Sequence, residues 1–512
     1  MLPSSFLKQP LALWGSFLLL LAALPLLLLI CHPDQSWGGD YAGYLTQARE
    51  ILRGHTQLQP YYIYNPGRPY LAPPVYPVGF SLLEAIFLRG NTPDMLFFVR
   101  LNTVLWWLSG VVLFWVARRH VPLWAAAGGA LFYLFHPIYL LEKNSVLPDA
   151  FFCVLIWLTL DAYIYRSTDS WKKALWCGFL AAGAWLTRAN GVVLLLAIGL
   201  YQVPVLVQYL WKKERRAALF PELRFSALVL LSAGVLYLFL QQGVYAHPEL
   251  QGSYLDQLRL LNDSLVTTLS RHAEECIKNT LNYFQMGMEV AQLHKGTRPD
   301  IAAQLGGAIA LGFVVLGMFQ PRKGREGLLG IFLVCFVGLL LIWPLVQGFR
   351  YLLPVFPALF IYLLRGLDAV KPARRAAQIA LWALIPLLWY GEYDRGFKGL
   401  KDLSMQNDYG SPEFSNNQEA FQFVRTQIPD TVRLAYHHPL ILGLYAERKS
   451  MCWQASPPEA MQREFRNFKV DYLLVNNWLS QSDPALEQYL QFYKASLDTV
   501  WHNERNCLYR LH

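Results

Sequence analysis

The sequence predicts a polytopic all-α membrane protein that ends in a small α/β domain. Three observations predict it: apolar runs of membrane-spanning length, basic clusters confined to alternate connections between those runs, and a change of texture after about residue 391. Of 512 residues, 54% are hydrophobic and only 15% charged. A spanning helix needs roughly 20 mostly apolar residues, because the bilayer core offers no water to satisfy the backbone. That composition excludes an ordinary soluble enzyme. The formal charge of +9 is spread in short clusters rather than pooled in a stripe or tail, which reads as membrane orientation and not as nucleic-acid binding.

Spans are expected near 11–30, 95–117, 121–140, 150–165, 174–188, 191–210, 225–245, 303–319, 328–346, 352–369 and 376–390, about eleven in all. The clusters Arg118/Arg119, Arg166/Lys172/Lys173, Lys212/Lys213/Arg215/Arg216, Arg322/Lys323/Arg325 and Arg365/Lys371/Arg374/Arg375 fall in alternate connections, which assigns them to the cytoplasm. An odd number of spans then leaves the N-terminus cytoplasmic and the C-terminus extracytoplasmic. The first run carries no small-x-small cleavage site, and Leu28-Leu29-Ile30 before Cys31 is a poor lipobox, so it reads as an uncleaved span. The division is a transmembrane domain over 1–390, with long outward loops 31–94 and 246–302, and an extracytoplasmic domain over 391–512.

Tyr41 to Arg53 has apolar residues at helical spacing, a helix lying either on the membrane surface or on protein. In the terminal region a helix over Ser415–Gln427, strands at Val432–Tyr436, Asp471–Val475, Asp498–His502 and Asn506–Leu511, and helices over Glu459–Phe468 and Pro484–Tyr493 give the α/β alternation. Seven cysteines show no metal-ligand or redox spacing. Cys153, Cys177 and Cys335 read as packing residues, and a Cys452–Cys507 disulfide stays open if the compartment is oxidising.

Chemistry is expected in the outward loops. Gly38-Gly39-Asp40-Tyr41-Ala42-Gly43-Tyr44-Leu45 places an acid just beyond the first span, followed later by Tyr76-Pro77-Val78-Gly79-Phe80. Such an acid can accept the proton of an attacking hydroxyl, or it can simply cap the helix that follows. Arg350 and Arg188 sit at outward boundaries, where positive charge is under-represented, and Lys143 belongs to the same class. A guanidinium there either binds phosphate through paired hydrogen bonds or snorkels to lipid head groups. Asp149 opens an apolar span, as an N-cap or as a functional charge at membrane depth. Glu84 either orients an acceptor or, the favoured reading, pairs with Arg89. His437-His438 has no spaced partner and reads as a surface or turn pair. Tyr61, Tyr62, Tyr64, Tyr70 and Tyr76 make a loop core or a sugar groove.

These residues resemble the glycosyltransferase C superfamily. The resemblance rests on Asp40 with Tyr44 and the Tyr-Pro-x-Gly-Phe stretch, on Glu142-Lys143-Asn144-Ser145-Val146-Leu147-Pro148-Asp149, and on Gln347-Gly348-Phe349-Arg350-Tyr351-Leu352-Leu353-Pro354-Val355-Phe356-Pro357. The nearest in pattern are protein O-mannosyltransferases, lipid A aminoarabinose transferases and their bacterial cousins. Members often carry two adjacent acids where this chain has Asp40-Tyr41. The resemblance implies inverting transfer from a polyprenyl-phosphate-linked sugar to a glycan, lipid or protein hydroxyl, among membrane lipids of a bacterial inner membrane. Asp40 would be the general base; Arg350, Tyr351, Arg188 and Lys143 would hold the carrier phosphate; Asp149, Tyr44 and Glu84 would support them. Asp40 with Asp149 could also take a divalent cation, although two carboxylates specify no metal. The rival readings are a transporter or lipid flippase, which would show paired halves or broken helices, and a non-catalytic assembly or sensor protein.

Overall fold

The computed structural model describes residues 5–68, 71, 76–88, 93–165, 170–245, 265–284, 301–321, 324–343, 348–370, 411–454, 457–477 and 483–512. Every expected span up to residue 369 coincides with a helix: α1 (Ser5–Leu29), then, after α2 (Asp40–Leu52) and α3 (Val78–Phe87), α4 (Met95–Ala117) and α5 (Leu123–Leu134). Beyond the short α6 (Pro137–Glu142) come α7 (Asp149–Tyr165), α8 (Trp171–Thr187), α9 (Val192–Trp211) and α10 (Arg216–Tyr237). After α11 (Leu265–Phe284) follow α12 (Ile301–Met318), α13 (Gly327–Ile342) and α14 (Phe356–Ala369). The expected span 376–390, residues Arg89, Tyr70, Arg166, Lys371, Arg374 and Arg375, the Arg322/Lys323 pair and most of loop 246–302 lie outside the described residues.

Among the described residues four helical segments, Ala12–Leu29, Met95–Ala117, Ala189–Trp211 and Leu219–Val244, are long and apolar enough by themselves to cross a bilayer. Others, such as α5 with 12 residues, rise only about 18 Å at 1.5 Å per residue, so hydropathy counts more spans than helix length supports. The outward faces are those of a protein in lipid: Trp14, Leu18, Leu29, Trp211 and Phe319 are all exposed.

Close backbone approach, not side-chain interlock, joins α12 to α14. A Cβ on Gly317 would collide with the carbonyl oxygen of Tyr362, and one on Gly366 with that of Phe313. Small residues allow such contact where no hydrophobic force drives helices together. Across the bundle, Arg119 pairs with Asp161 at 2.9 Å, Arg365 with Glu326 at 3.4 Å and Arg325 with Glu222 at 3.5 Å. Asp149 and Asp161 both belong to α7, so these pairs stand at the end of the bundle opposite Asp149.

The terminal region folds as expected around a five-stranded sheet. It comprises α15 (Ser415–Gln427), β1 (Arg433–Ala435), α16 (Pro439–Ala446), β2 (Lys449–Met451), α17 (Pro458–Asn467), β3 (Tyr472–Asn476), α18 (Pro484–Phe492), β4 (Leu497–His502) and β5 (Asn506–Leu511). The sheet order is β2-β1-β3-β5-β4, parallel on the β1 side and antiparallel at β5. Two elements were not expected from the sequence, α16 and β2. All eight residues of α16 are buried, so its apolar run has no polar face to reveal a helical period. Cys452 and Cys507 are free thiols, which removes the possible disulfide.

The amphipathic helix of the first loop is α2, and the question of its partner is resolved in favour of protein. Tyr41 through Glu50 are buried, with α3 on one side and α16 on the other. The buried Arg49 donates to the carbonyls of Leu444 at 3.0 Å and Gly443 at 3.3 Å, and pairs with Glu447 at 3.4 Å. Arg53 and Arg425 also pair with Glu447, at 3.3 and 2.9 Å. Burial opposes ionisation of that carboxyl, but Arg49, Arg425 and Arg53 together hold it below its usual range.

Candidate active site

Asp40 is the first residue of α2 and not its cap. Gly39 occupies the cap with φ of 79°, a left-handed turn that suits glycine, and no side chain caps the helix. The Asp40 carboxylate is therefore free for other partners. It accepts from Arg350 Nη1 at 2.8 Å and from the Tyr76 hydroxyl at 2.9 Å. Its side chain keeps 25% of its surface exposed, so a substrate can reach it.

The glycines of the two loop motifs acquire a reason here. A Cβ on Gly43 would lie 2.5 Å from the Tyr76 ring, so only glycine leaves room for the ring whose hydroxyl reaches Asp40. A Cβ on Gly79 would come within 2.9 Å of the Leu186 carbonyl and the Thr187 nitrogen, so glycine lets α3 abut the end of α8 beside Arg188. Tyr44 supports the same arrangement from behind: its ring centroid lies 4.5 Å from that of Tyr76 and 5.4 Å from that of Phe80.

Asp149 is the first residue of α7 and is buried. Its Oδ2 accepts from Arg350 Nε at 3.0 Å, and its Oδ1 accepts from Arg188 Nη1. One carboxylate thus sets two guanidiniums side by side. Arg350 comes from the short turn Gly348–Leu352, and Arg188 from the C-cap of α8. The Arg188 guanidinium lies over the Tyr351 ring, 5.5 Å from its centroid. Four charged residues from widely separated parts of the sequence therefore meet in one cluster, with Tyr351, Tyr76 and Tyr44 around it.

Two expected members stand elsewhere. The Lys143 amine turns away from the cluster, donating to the Ile30 carbonyl at 3.1 Å and to Asn144 Oδ1 at 2.9 Å. Its burial calls for those acceptors, and the free end of α1 supplies one. Glu84 is fully buried in α3, and neither carboxylate oxygen has a hydrogen-bond partner among the described residues. Its favoured partner Arg89 lies outside them.

Sequence reasoning missed three contributors. Tyr76 reads from sequence as part of a loop core or a sugar groove, with no named partner, yet it donates to Asp40. Glu142 was part of a motif but given no role; it stands at the end of α6, where Asp149, Arg188 and Arg350 all act on its charge. Glu413 ties the terminal region to the first loop. It accepts from Tyr445 at 2.6 Å, from Ser411 at 2.5 Å and from the Gln35 backbone at 3.2 Å, with the hydroxyl of Tyr41 at 3.5 Å. Burial pushes its carboxyl above the ordinary range. The His437-His438 pair is a turn, as expected, but an inward one. His438 caps α16 and packs against Trp37, with ring centroids 5.3 Å apart, while His437 meets Asp483 at 3.2 Å.

The residues present do not suit a divalent cation as they stand. Arg350 touches both Asp40 and Asp149, so the position between those carboxylates already carries positive charge. Among the described residues no three His, Cys, Asp or Glu side chains converge as metal ligands.

No protein-family model matches the sequence, and no curated protein matches it. Solved structures do. ArnT from Cupriavidus metallidurans, solved with undecaprenyl phosphate bound, is similar at a TM-score of 0.56 and 15% identity, over 97% of this chain and 98% of that one. The oligosaccharyltransferase of Archaeoglobus fulgidus, tethered to an acceptor peptide, is similar at 0.56 and 11%, over 95% of this chain and 72% of that one. The same archaeal enzyme, AglB, in complex with an inhibitory peptide and a dolichol-phosphate, gives 0.52 and 11%, over 91% and 69%. Both neighbours are glycosyltransferase C enzymes, and the likeness runs through nearly the whole chain. With its apolar helices and small terminal sheet, this membrane protein has, over nearly its whole length, the fold of these solved glycosyltransferases.

Proposed function

We propose that this chain transfers a sugar from a polyprenyl-phosphate carrier to a hydroxyl acceptor, with inversion at the anomeric carbon. The observation that carries the proposal is the cluster of Asp40, Arg350, Asp149 and Arg188 at one end of the bundle. Neighbours of this fold bind undecaprenyl phosphate and dolichol-phosphate, which supports a lipid-phosphate donor here.

In this reading Asp149 is a positioning residue. It engages both the Arg188 and the Arg350 guanidinium, and charge-assisted paired hydrogen bonds are strongest where charge grows. The incoming phosphate takes Arg350 from Asp40. The released carboxylate then accepts the proton of the acceptor hydroxyl as its oxygen attacks C1 from the face opposite the phosphate. One displacement inverts the centre, and the electron pair of the broken bond leaves with the phosphate.

We infer further that the cluster faces the extracytoplasmic side of a bacterial inner membrane. The support is that Arg119, Arg325 and Arg365, read as cytoplasmic, come together at the far end of the bundle.

The test uses purified full-length protein in lipid nanodiscs, with a panel of radiolabelled undecaprenyl-phosphate sugars and extracted envelope lipids as acceptors. Wild type is expected to transfer label from at least one donor. Asp40→Asn is expected to insert and fold normally yet lose turnover by about a hundredfold or more, the usual range for a lost general base. Wild-type turnover in that variant would remove the mechanism.

A further inference from the structure

The proposed reaction needs Asp40 and Asp149 at a fixed separation, yet they come from different connections. Asp40 follows α1 in the first loop, and Asp149 follows α6 in the second outward connection. Arg350 bridges them, at 2.8 Å to Asp40 and 3.0 Å to Asp149. The phosphate breaks that bridge when it takes Arg350 from Asp40. Another contact has to keep the two connections in register at that moment.

Gln35 makes such a contact. It lies five residues before Asp40 and is only 5% exposed. Its Oε1 accepts from the Val146 N–H at 3.0 Å, and its Nε2 donates to the Asn144 carbonyl at 2.8 Å. Val146 in turn lies three residues before Asp149. One side chain thus pairs with a stretch of backbone as a neighbouring strand would. A carboxamide carries the donor and the acceptor side by side, which neither an ionised carboxylate nor an apolar chain offers. The Lys143 and Ser145 carbonyls of the same connection go to Asn102 of α4, at 3.1 and 2.6 Å, so buried amides hold it from both sides. Lys143 Nζ with the Ile30 carbonyl, at 3.1 Å, and Asn144 with His32, at 2.9 Å, join the same segments farther along the chain from Asp40. The Gln35 backbone is fixed as well, its N–H donating to Glu413 at 3.2 Å.

We propose that Gln35 is a positioning residue that keeps Asp40 in register with Asp149 once Arg350 has turned to the carrier phosphate. The inference rests on the glycosyl-transfer reading above. Gln35 acts through the backbone that leads to each acid and touches neither substrate. The donor phosphate still meets Arg350 and Arg188 without it, so KM holds. A base displaced by about 1 Å, in contrast, costs on the order of a hundredfold in rate.

The test compares Gln35→Leu and Gln35→Glu with wild type and Asp40→Asn, each full-length in lipid nanodiscs, using the undecaprenyl-phosphate sugar that labels best. Leu leaves the Val146 N–H and the Asn144 carbonyl without their partner. Ionised Glu still accepts from Val146 but sets a negative oxygen against the Asn144 carbonyl. Both variants are expected to lower kcat by about a hundredfold at about pH 8, with little change in KM. As pH falls, the buried carboxyl of Gln35→Glu, its pKa raised by burial, takes up a proton and regains a donor. Its kcat relative to wild type should therefore climb by about tenfold or more between about pH 8 and about pH 6, while that of Gln35→Leu stays flat. Glu413, His32, Asp34 and Lys143, the titratable groups around the position, are common to all these proteins, so the ratio removes their effect. Hydrogen exchange supplies a readout independent of transfer: the Val146 amide should exchange faster in Gln35→Leu than in wild type. Wild-type kcat in Gln35→Leu, a pH-independent ratio in Gln35→Glu, or unchanged exchange at Val146 overturns the role of Gln35 and leaves Asp40 standing. Wild-type rates from Asp40→Asn would overturn both.

Discussion

At the scale of the residue, the cluster depends as much on what is missing as on what is present. Gly43 has no side chain, and that vacancy seats the Tyr76 ring with its hydroxyl 2.9 Å from Asp40. Gly43→Ala is therefore expected to push Tyr76 off Asp40 and to lower kcat by about tenfold, one hydrogen bond to a charged group. Tyr76→Phe should reproduce that loss, and a Gly43→Ala, Tyr76→Phe double variant should be no worse than either alone. Kinetics of the three variants would check this; additive losses would mean that Gly43 acts by another route. The acids and arginines of the site were legible in the sequence, because charge at a membrane boundary is costly enough to stand out. The direction of a side chain was not. Lys143 and Arg350 look alike in sequence, yet one reaches the Ile30 carbonyl and the other Asp40. Tyr76 was hidden for the same reason, since a tyrosine beside proline in a loop announces no partner.

At the scale of the element, helices are placed by contacts that a hydropathy pattern does not contain. The apolar periods marked where α12 and α14 begin and end, but their crossing is fixed by Gly317 and Gly366 against the opposing backbone. Gly366→Val is expected to destabilise the protein by about 1–3 kcal/mol, the usual cost of overpacking, because backbone cannot retreat as a side chain can. Because α14 begins directly after the Arg350 turn, transfer activity should fall along with thermal stability in detergent. A variant as stable and active as wild type would show that the two helices have room to spread. Element boundaries in the terminal region were read within a residue or two where polar and apolar residues alternate, as in β5. The missing α16 was illegible because α2, α15 and β2 cover it on all sides, and a run without a wet face carries no period.

At the scale of the whole molecule, the two ends of the bundle carry different charge chemistry. One end holds Asp40, Asp149, Arg188 and Arg350; the other holds Arg119 with Asp161, Arg325 with Glu222 and Arg365 with Glu326. Fusing alkaline phosphatase, which is active only outside the cytoplasm, to His512 should give active reporter, and a fusion of green fluorescent protein at the same point should stay dark. The reverse pattern would overturn the orientation inferred from the basic clusters. The sequence showed which runs are apolar but not how long each helix stays straight, so the number of crossings is less legible than their existence.

The fastening of α2 by Arg49 to the carbonyls of α16 has a consequence for how the proposed transfer could be stopped. In the proposed mechanism, the helix that bears the base is gripped by residues of the terminal region. A compound wedged into that seam would slacken the base without competing with either a greasy donor or a bulky acceptor. Inhibition of that kind would persist however much substrate the membrane supplied.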